Sequence, residues 1–316
     1  MILTVTMNPA LDKCYGIDDF AVGQVNRVQQ MRLTAGGKGL NVARVVCALG
    51  EQATATGILG GFSGKLLLSL LDKPIVPSFI EVSGETRSCI NVLNSFDAQS
   101  TELLEPGEAV TAEELARFEH HFSELLPQCS VVTISGSLPI GCSTQFYCGL
   151  IHKAKQMGKK VLLDTSGKAL VAAATAKPTL IKPNVDEIKA LVTADVQTPA
   201  QAAQAAQQLH STGIAYVVLS LGCKGAIMAC DSGVFYAEAA SVKAVNAVGC
   251  GDSMLAGLAV GLLHNESPSD CLRMGMAAGA ANALTFGTGC VEKAKYEALL
   301  TQIKVRDFYE NPLTCR

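Results

Sequence analysis

Three short segments of the chain combine residue types that could do chemistry. The first is Gly249-Cys250-Gly251-Asp252, just ahead of the apolar run Ser253 to Leu263. Two glycines let a ligand approach the backbone, and a helix starting here offers unpaired N–H groups and the positive end of its dipole. That combination suits a phosphate or a developing negative charge. Asp252 stands where a carboxylate can take a proton from a hydroxyl being phosphorylated. Taken alone, a plain helix N-cap is the simpler reading of Asp252. The second segment is Ala35-Gly36-Gly37-Lys38-Gly39-Leu40-Asn41, whose Lys38 and Asn41 can hold sugar hydroxyls and a phosphate; it reads equally as a turn with a solvated lysine. The third is Lys182-Pro183-Asn184-Val185-Asp186-Glu187, after a strand-like stretch. Loops at the carboxyl ends of sheet strands bind ligands in α/β folds, and Glu187 can reach a hydrated Mg²⁺. The alternative is a helix start with favourable early acids. Neither common nucleotide motif is present. Met254 stands at the sixth position of a would-be GxGxxG, Leu59 stands where a Walker loop needs its first glycine, and Leu66 follows Gly64-Lys65.

The elements that must position these segments alternate along the chain. Strands are expected at Ile2 to Thr6, Thr54 to Leu59, Val131 to Ser135, Val161 to Asp164, Thr179 to Lys182 and Tyr216 to Ser220. Helices are expected at Leu40 to Leu49, Thr111 to Gln128, Ser143 to Met157, Val185 to Val192 and Ala200 to His210. Thr111-Ala112-Glu113-Glu114 is a capping box, and Gly50 and Gly158 are helix stops. Such alternation predicts a mostly parallel sheet covered by helices on both faces. Ala226 to Cys230 and Val234 to Ala237 follow as an antiparallel pair. Ser253 to Leu263 is apolar all round and should be a buried helix. Ser267-Pro268 should open another that runs to about Phe286. Two stretches, Lys13 to Thr34 and Thr86 to Leu104, show short alternating runs without a helix signal. They read either as hairpin insertions forming a small separate sheet, a natural lid, or as edge strands of the main sheet.

Composition narrows the function classes. The 316 residues are 49% hydrophobic and 17% charged, which excludes global disorder and fits one large domain with a small appendage. Net charge is 25 − 28 = −3 and no long basic run occurs, so a nucleic-acid partner is not expected. The opening lacks a basic, signal-like region and the longest apolar run is too short for a membrane span, so a cytoplasmic protein without a membrane partner is expected. Twelve cysteines without a CxxC pair read as reduced thiols, and five histidines without HExxH or a Cys/His cluster argue against zinc.

The three segments, in this order on this scaffold, resemble the ribokinase-like sugar kinases, also called the phosphofructokinase-B family. The resemblance spans nearly the whole chain. It includes Thr6-Met7-Asn8-Pro9-Ala10-Leu11-Asp12, Gly84-Glu85-Thr86-Arg87, Ser135-Gly136-Ser137-Leu138-Pro139, Asp164-Thr165-Ser166-Gly167 and Ser220-Leu221-Gly222. The opening and the Gly36-Gly37-Lys38-Gly39 variant look like the phosphosugar branch, whose members include tagatose-6-phosphate kinase and 1-phosphofructokinase. The resemblance implies an α/β kinase domain (1–12, 35–85 and 105–316) and a β-sheet lid (13–34 and 86–104) that usually takes part in a homodimer. It implies ATP and Mg²⁺ as cofactors and a ketohexose phosphate as substrate. Tagatose 6-phosphate is favoured over fructose 1-phosphate, because Gly84 to Ile90 and Ser100 to Gly107 look more like the tagatose enzyme. A protein that only binds a sugar phosphate, and a dinucleotide-dependent dehydrogenase, are the alternatives it displaces.

Roles carry over position by position. Asp252 matches the base, and Gly249, Cys250 and Gly251 the anion hole; Cys250 replaces a more usual Ala or Ser. Asp12, Gly37 and Asn41 match residues that hold sugar hydroxyls. Lys38, Arg87, Arg27 and Ser137 match the surroundings of the substrate's existing phosphate. Lys182, Asn184 and Glu187 match the nucleotide-phosphate and magnesium side, with Asp164 near the metal. Ser220, Gly222 and Gly225 match the nucleotide loop, and Asn282 the border of the adenine.

Overall fold

The structure, a computed structural model, describes residues 1–97, 99–192 and 196–309. Ala98 of the second irregular stretch, and residues 193–195 and 310–316 of the expected α/β domain, lie outside them. In chain order the first half holds β1 (Ile2–Thr6), β2 (Ala10–Ile17), β3 (Gln30–Gly36), α1 (Lys38–Ala48), β4 (Ala53–Gly60), α2 (Gly61–Ser69), β5 (Val76–Val82), β6 (Arg87–Asn94), β7 (Ser100–Leu104), α3 (Ala112–Leu125), β8 (Val131–Ser135) and α4 (Phe146–Gln156). The second half holds β9 (Lys160–Asp164), α5 (Gly167–Ala174), β10 (Leu180–Ile181), α6 (Pro199–His210), β11 (Tyr216–Ser220), β12 (Ala226–Cys230), β13 (Gly233–Ala237), α7 (Cys250–His264), α8 (Pro268–Ala283), α9 (Lys293–Gln302) and β14 (Val305–Asp307).

Among the described residues, ten strands form one sheet in the order β14-β13-β12-β11-β10-β9-β8-β1-β4-β5. From β11 to β5 every pairing is parallel, so the carboxyl ends of β1, β8, β9, β10 and β11 share one edge. β12 to β14 continue the sheet antiparallel. Strand alternation splits the core between its two faces. Leu3, Val5, Val132, Ile134, Val161 and Leu163 pack with helices α3 to α6. Ile2, Val131, Leu162 and Leu180 pack with α1, α7 and α8. As its all-round apolar sequence predicts, α7 is buried from Asp252 to Leu262.

The capping box is formed: Thr111 Oγ1 accepts from the Glu114 N–H, and the Glu114 carboxylate accepts from the Thr111 N–H. Ser267 caps α8 by accepting from the Asp270 N–H. The two irregular stretches form a separate four-stranded sheet, β3-β2-β6-β7, rather than edge strands of the main one. Its β2–β3 ladder continues to the Ala10–Gly36 pair, which brings Asp12 and Ala35 into the small sheet too.

The expected Val185 to Val192 helix is corrected to one 3₁₀ turn, Ile188–Ala190. The Asn184 side chain accepts from the N–H groups of Asp186 and Glu187 as an N-cap does, but the bonds that follow, Ala190 N–H to Glu187 O and Leu191 N–H to Ile188 O, have the tighter three-residue spacing. Helix α4 starts at Phe146 rather than Ser143, because Ser143 folds a turn onto Gln145 first. Sequence patterning also passed over β5, a sheet edge broken in pattern by Pro77, and α2, which carries two glycines.

Candidate active site

A cavity of about 440 Å³ opens between the carboxyl edge of the main sheet and the inner face of the small one. Asp252 lies at its base in the first turn of α7 and is only 6% exposed. Gly249 sets up that turn: its φ of 84° is left-handed, and a Cβ there would lie 2.7 Å from Thr288 Cγ2 and 2.8 Å from the Gly289 nitrogen. A side chain at 249 would therefore push α7 away from the loop that backs it. The same loop is stitched down by Asn246, which accepts from the Val248 N–H and donates to the Phe286 carbonyl. Gly251 and Asp252 occupy positions whose N–H groups have no intrahelical acceptor, and both line the cavity. Cys250 departs from its expected part. Its N–H donates to Ala247 O at 3.3 Å and its Sγ accepts from Asn282, so it is turned from the cavity.

Burial drives the Asp252 carboxyl up, Lys38 pulls it down and Asp164 pushes it up again; the balance lies above the ordinary carboxylate value. Asn41 Nδ2 donates to Asp252 Oδ2 at 2.8 Å. Asn41 thus contacts Asp252 directly, as well as lining the cavity. Beneath, Asp164 is 1% exposed and sits between two ammonium groups, with Lys38 Nζ 3.4 Å from Oδ1 and Lys182 Nζ 3.4 Å from Oδ2. Burial opposes its charge, but Lys182 and Lys38 together outweigh that and hold the carboxyl below its ordinary value. In return the Asp164 charge raises Lys38 well above the usual lysine value. Lys182 Nζ also lies 3.3 Å from where a Gly251 Cβ would stand, so its charge adds to the anion-attracting end of α7.

At the small sheet, Asp12 lies flat on Gly36, where a Cβ would fall 2.0 Å from the Asp12 carboxyl carbon. Burial, and to a lesser degree the nearby Asp252, lift the Asp12 carboxyl to about 6 against the pull of Arg87 and Arg44. Asp12 therefore feels both Asp252 and the cationic side. Arg87 lines the cavity while its Nε and Nη2 donate to Asn8 O and its Nη1 to Glu105 O. Those carbonyls fix the guanidinium plane and leave further N–H donors for a ligand. Ser137 lines the cavity and accepts from Asn8 Nδ2 at 3.2 Å. Gly37 is the N-cap of α1 and borders the same space.

The structure relocates several expected residues. Arg27 is exposed in the β2–β3 connection and does not line the cavity; Arg32, on the same face of the small sheet as Asp12, lines it instead. Alternation along β3 could have suggested it, but not which face turns inward. Asn282 is fully buried, and its amide joins Val248 O to the Cys290 N–H, so it braces two loops rather than bordering a ligand. Asn184, Glu187, Ser220, Gly222 and Gly225 lie along the carboxyl edge beyond β9, outside this cavity; Asn184 bridges Ser220, and Gly222 and Gly225 form the tight turn after β11.

For a magnesium ion the donor set is specific. Among the described residues no three carboxylate, histidine or cysteine side chains gather as a metal cage. Mg²⁺ keeps waters and phosphate oxygens and needs one or two carboxylates. Glu187 suits it, since its Oε2 accepts from the Asn184 N–H and the other oxygen is left over. Asp164 does not, because the two ammonium groups flanking it repel a divalent cation.

The described cysteines are all free thiols, and no helix among the described residues is long and apolar enough to cross a membrane. A pfkB family carbohydrate kinase model matches residues 5–294. The chain is similar to phosphofructokinase-2 from Escherichia coli in complex with fructose-6-phosphate, at 30% identity over 95% of this chain and 98% of that one, with a TM-score of 0.87. A possible 1-phosphofructokinase from Thermotoga maritima is 26% identical over 97% and 99%, with a TM-score of 0.85. Ribokinase from Arabidopsis thaliana, complexed with ribose and ATP, shares the fold at 21% identity over 95% and 98%, with a TM-score of 0.73.

Proposed function

The chain belongs to the pfkB family of carbohydrate kinases, and from that premise we propose that it transfers the γ-phosphoryl group of ATP to a free hydroxyl of a ketohexose phosphate, giving the bisphosphate. One observation carries this reading. The same cavity holds a buried carboxylate beside the open N–H groups of α7 and, past Asp12, the cationic residues Arg87 and Arg32. A neutral sugar would leave those charges unpartnered, whereas a phosphate at the far end of the substrate satisfies them. Tagatose 6-phosphate, phosphorylated on its C1 hydroxyl, is the leading substrate. The resemblance of Gly84 to Ile90 and Ser100 to Gly107 supports it, and likeness to an enzyme complexed with fructose-6-phosphate supports a sugar phosphorylated at C6. Fructose 1-phosphate is the second reading, favoured by likeness to the Thermotoga protein.

In this mechanism Asp12 and Asn41 orient the sugar, and Asp252 removes the proton of the attacking hydroxyl. The N–H groups of Gly251 and Asp252, with Lys182 and Lys38, receive the charge of the phosphoryl group in flight. Glu187 would hold Mg²⁺, which when bound would supply neutralisation of the nucleotide phosphates. The small sheet acts as a lid over the sugar and offers a surface for a homodimer; mass by light scattering at twice the chain mass supports that, and a monomer at micromolar concentration counts against it. Free thiols fit a reducing compartment such as the cytoplasm.

The test is ADP release with MgATP across tagatose 6-phosphate, fructose 6-phosphate, fructose 1-phosphate and free sugars. The expected order of kcat/KM puts tagatose 6-phosphate first and free sugars last. A preference for free sugars removes the phosphate-site assignment, and fructose 1-phosphate in first place selects the second reading. Arg87→Ala should raise the KM for the sugar phosphate by about tenfold or more, as loss of a charge-assisted contact of about 1.5–3 kcal/mol implies. An unchanged KM takes Arg87 out of phosphate recognition.

A further inference from the structure

The geometry points to Arg44 as the residue that positions the catalytic base, acting through Asn41. The inference rests on the kinase reading above. Arg44 is three residues beyond Asn41 on α1, so the two share a helix face. Its Nη1 donates to Asn41 Oδ1 at 3.1 Å, while Asn41 Nδ2 donates to Asp252 Oδ2 at 2.8 Å. An asparagine amide has one accepting and one donating end, and arginine can only donate. With Arg44 occupying the oxygen, the NH₂ group is the end left for the carboxylate. The reversed amide would face two acceptors toward each other at Asp252 and two donors at Arg44.

Arg44 is itself held from three sides. Nη2 donates to Ala35 O at 2.7 Å, Nη1 also donates to Thr288 O at 3.2 Å, and Nε pairs with Asp72 Oδ2 at 2.7 Å. Ala35 precedes the glycine turn under Asp12, and Thr288 backs the Gly249 turn. One guanidinium thus ties the two loops bounding the cavity to the amide that aims the base. Arg44 does not line the cavity, so it touches no substrate there and works as a positioning residue.

The measurement is kcat, KM and the pH profile for Arg44→Ala, Arg44→Lys, Asn41→Ala and the double variant Arg44→Ala/Asn41→Ala. Arg44→Ala should lower kcat about 10- to 100-fold, in line with the cost of misplacing a reacting group, with the KM for MgATP little changed. The acid limb of kcat/KM should move to higher pH, because an N–H donated to a carboxylate favours its charged form. Lys38 from α1, Asp164 from β9, Lys182 after β10 and Asp12 from β2 also bear on Asp252, and all are retained in these variants. If Arg44 acts through Asn41, the double variant should be no slower than Asn41→Ala. Arg44→Lys keeps the charge but not the planar fork, so Tm should recover towards that of the unaltered protein while the acid limb stays shifted. Multiplying losses in the double variant, or a fall in Tm with an unmoved acid limb, would overturn the inference. If the unaltered protein turns over no sugar or sugar phosphate, it is the kinase reading that has failed. Asp252 titration followed by carboxyl ¹³C NMR then decides Arg44 separately, an upward shift in Arg44→Ala supporting it and no shift overturning it.

Discussion

Asp252→Asn should lower kcat by about 10²- to 10⁴-fold, the range expected for loss of a positioned general base, with both KM values little changed. Asparagine has nearly the same shape and keeps a carbonyl oxygen for the Asn41 amide, so the loop and the sugar contacts survive. What is lost is an acceptor for the proton of the attacking hydroxyl. The pH dependence of the unaltered enzyme follows from the same residue. Burial holds the Asp252 carboxyl above the ordinary value, and the base works only when ionised. Activity should therefore rise with pH and fall on the acid side at a higher pH than an exposed carboxylate would give. Steady-state kinetics from pH 5 to 9 check both points. Turnover by Asp252→Asn near that of the unaltered enzyme would remove the base assignment.

Lys182→Met should cost stability as well as activity. Asp164 is 1% exposed and Lys182 4% exposed, and the pair meets at 3.4 Å inside the protein. Methionine fills similar space but leaves Asp164 with Lys38 alone. Removing one partner of a buried ion pair costs about 3–5 kcal/mol, far more than loss of an exposed pair. The expected result is a urea midpoint lowered accordingly, together with a large loss of kcat, since the ammonium beside Gly251 is also lost. The sign with pH can be worked out. Asp164 is held below its unfolded value of 3.8, so its contribution to stability is present above that value and disappears as pH falls through the lower folded one. The deficit of Lys182→Met should accordingly shrink in strongly acidic solution. An unchanged midpoint at pH 7 would mean that Asp164 finds other partners.

Much of this arrangement is legible in the residues because the information is local. The Thr111–Glu114 box, the Ser267 cap and the apolar run that became α7 depend on neighbours within about one helical turn. The glycines around 36 and 249 announce close backbone approaches without saying what approaches. The reading overreaches at Val185 to Val192, where Asn184 caps the start but the chain closes into a single 3₁₀ turn. Patterning alone left open whether the two irregular stretches join the main sheet or form their own.

By itself, then, the sequence determined the alternating scaffold, the glycine turns, the caps, and a short set of residues able to handle phosphate and a proton. Tertiary structure alone decided which of them meet. Asn41 and Asp252 are 211 positions apart, and Lys38 and Asp164 are 126 apart. They converge because β1 pairs between β4 and β8, which lays α1 beside α7 over one face of the sheet. The same packing turned Arg32 inward, left Arg27 outside, and spent the Asn282 amide on bracing two loops. The physical reason is one of range. Backbone preference and capping act over a few residues, whereas the partner of a buried charge is set by strand order and helix packing, which no local stretch encodes.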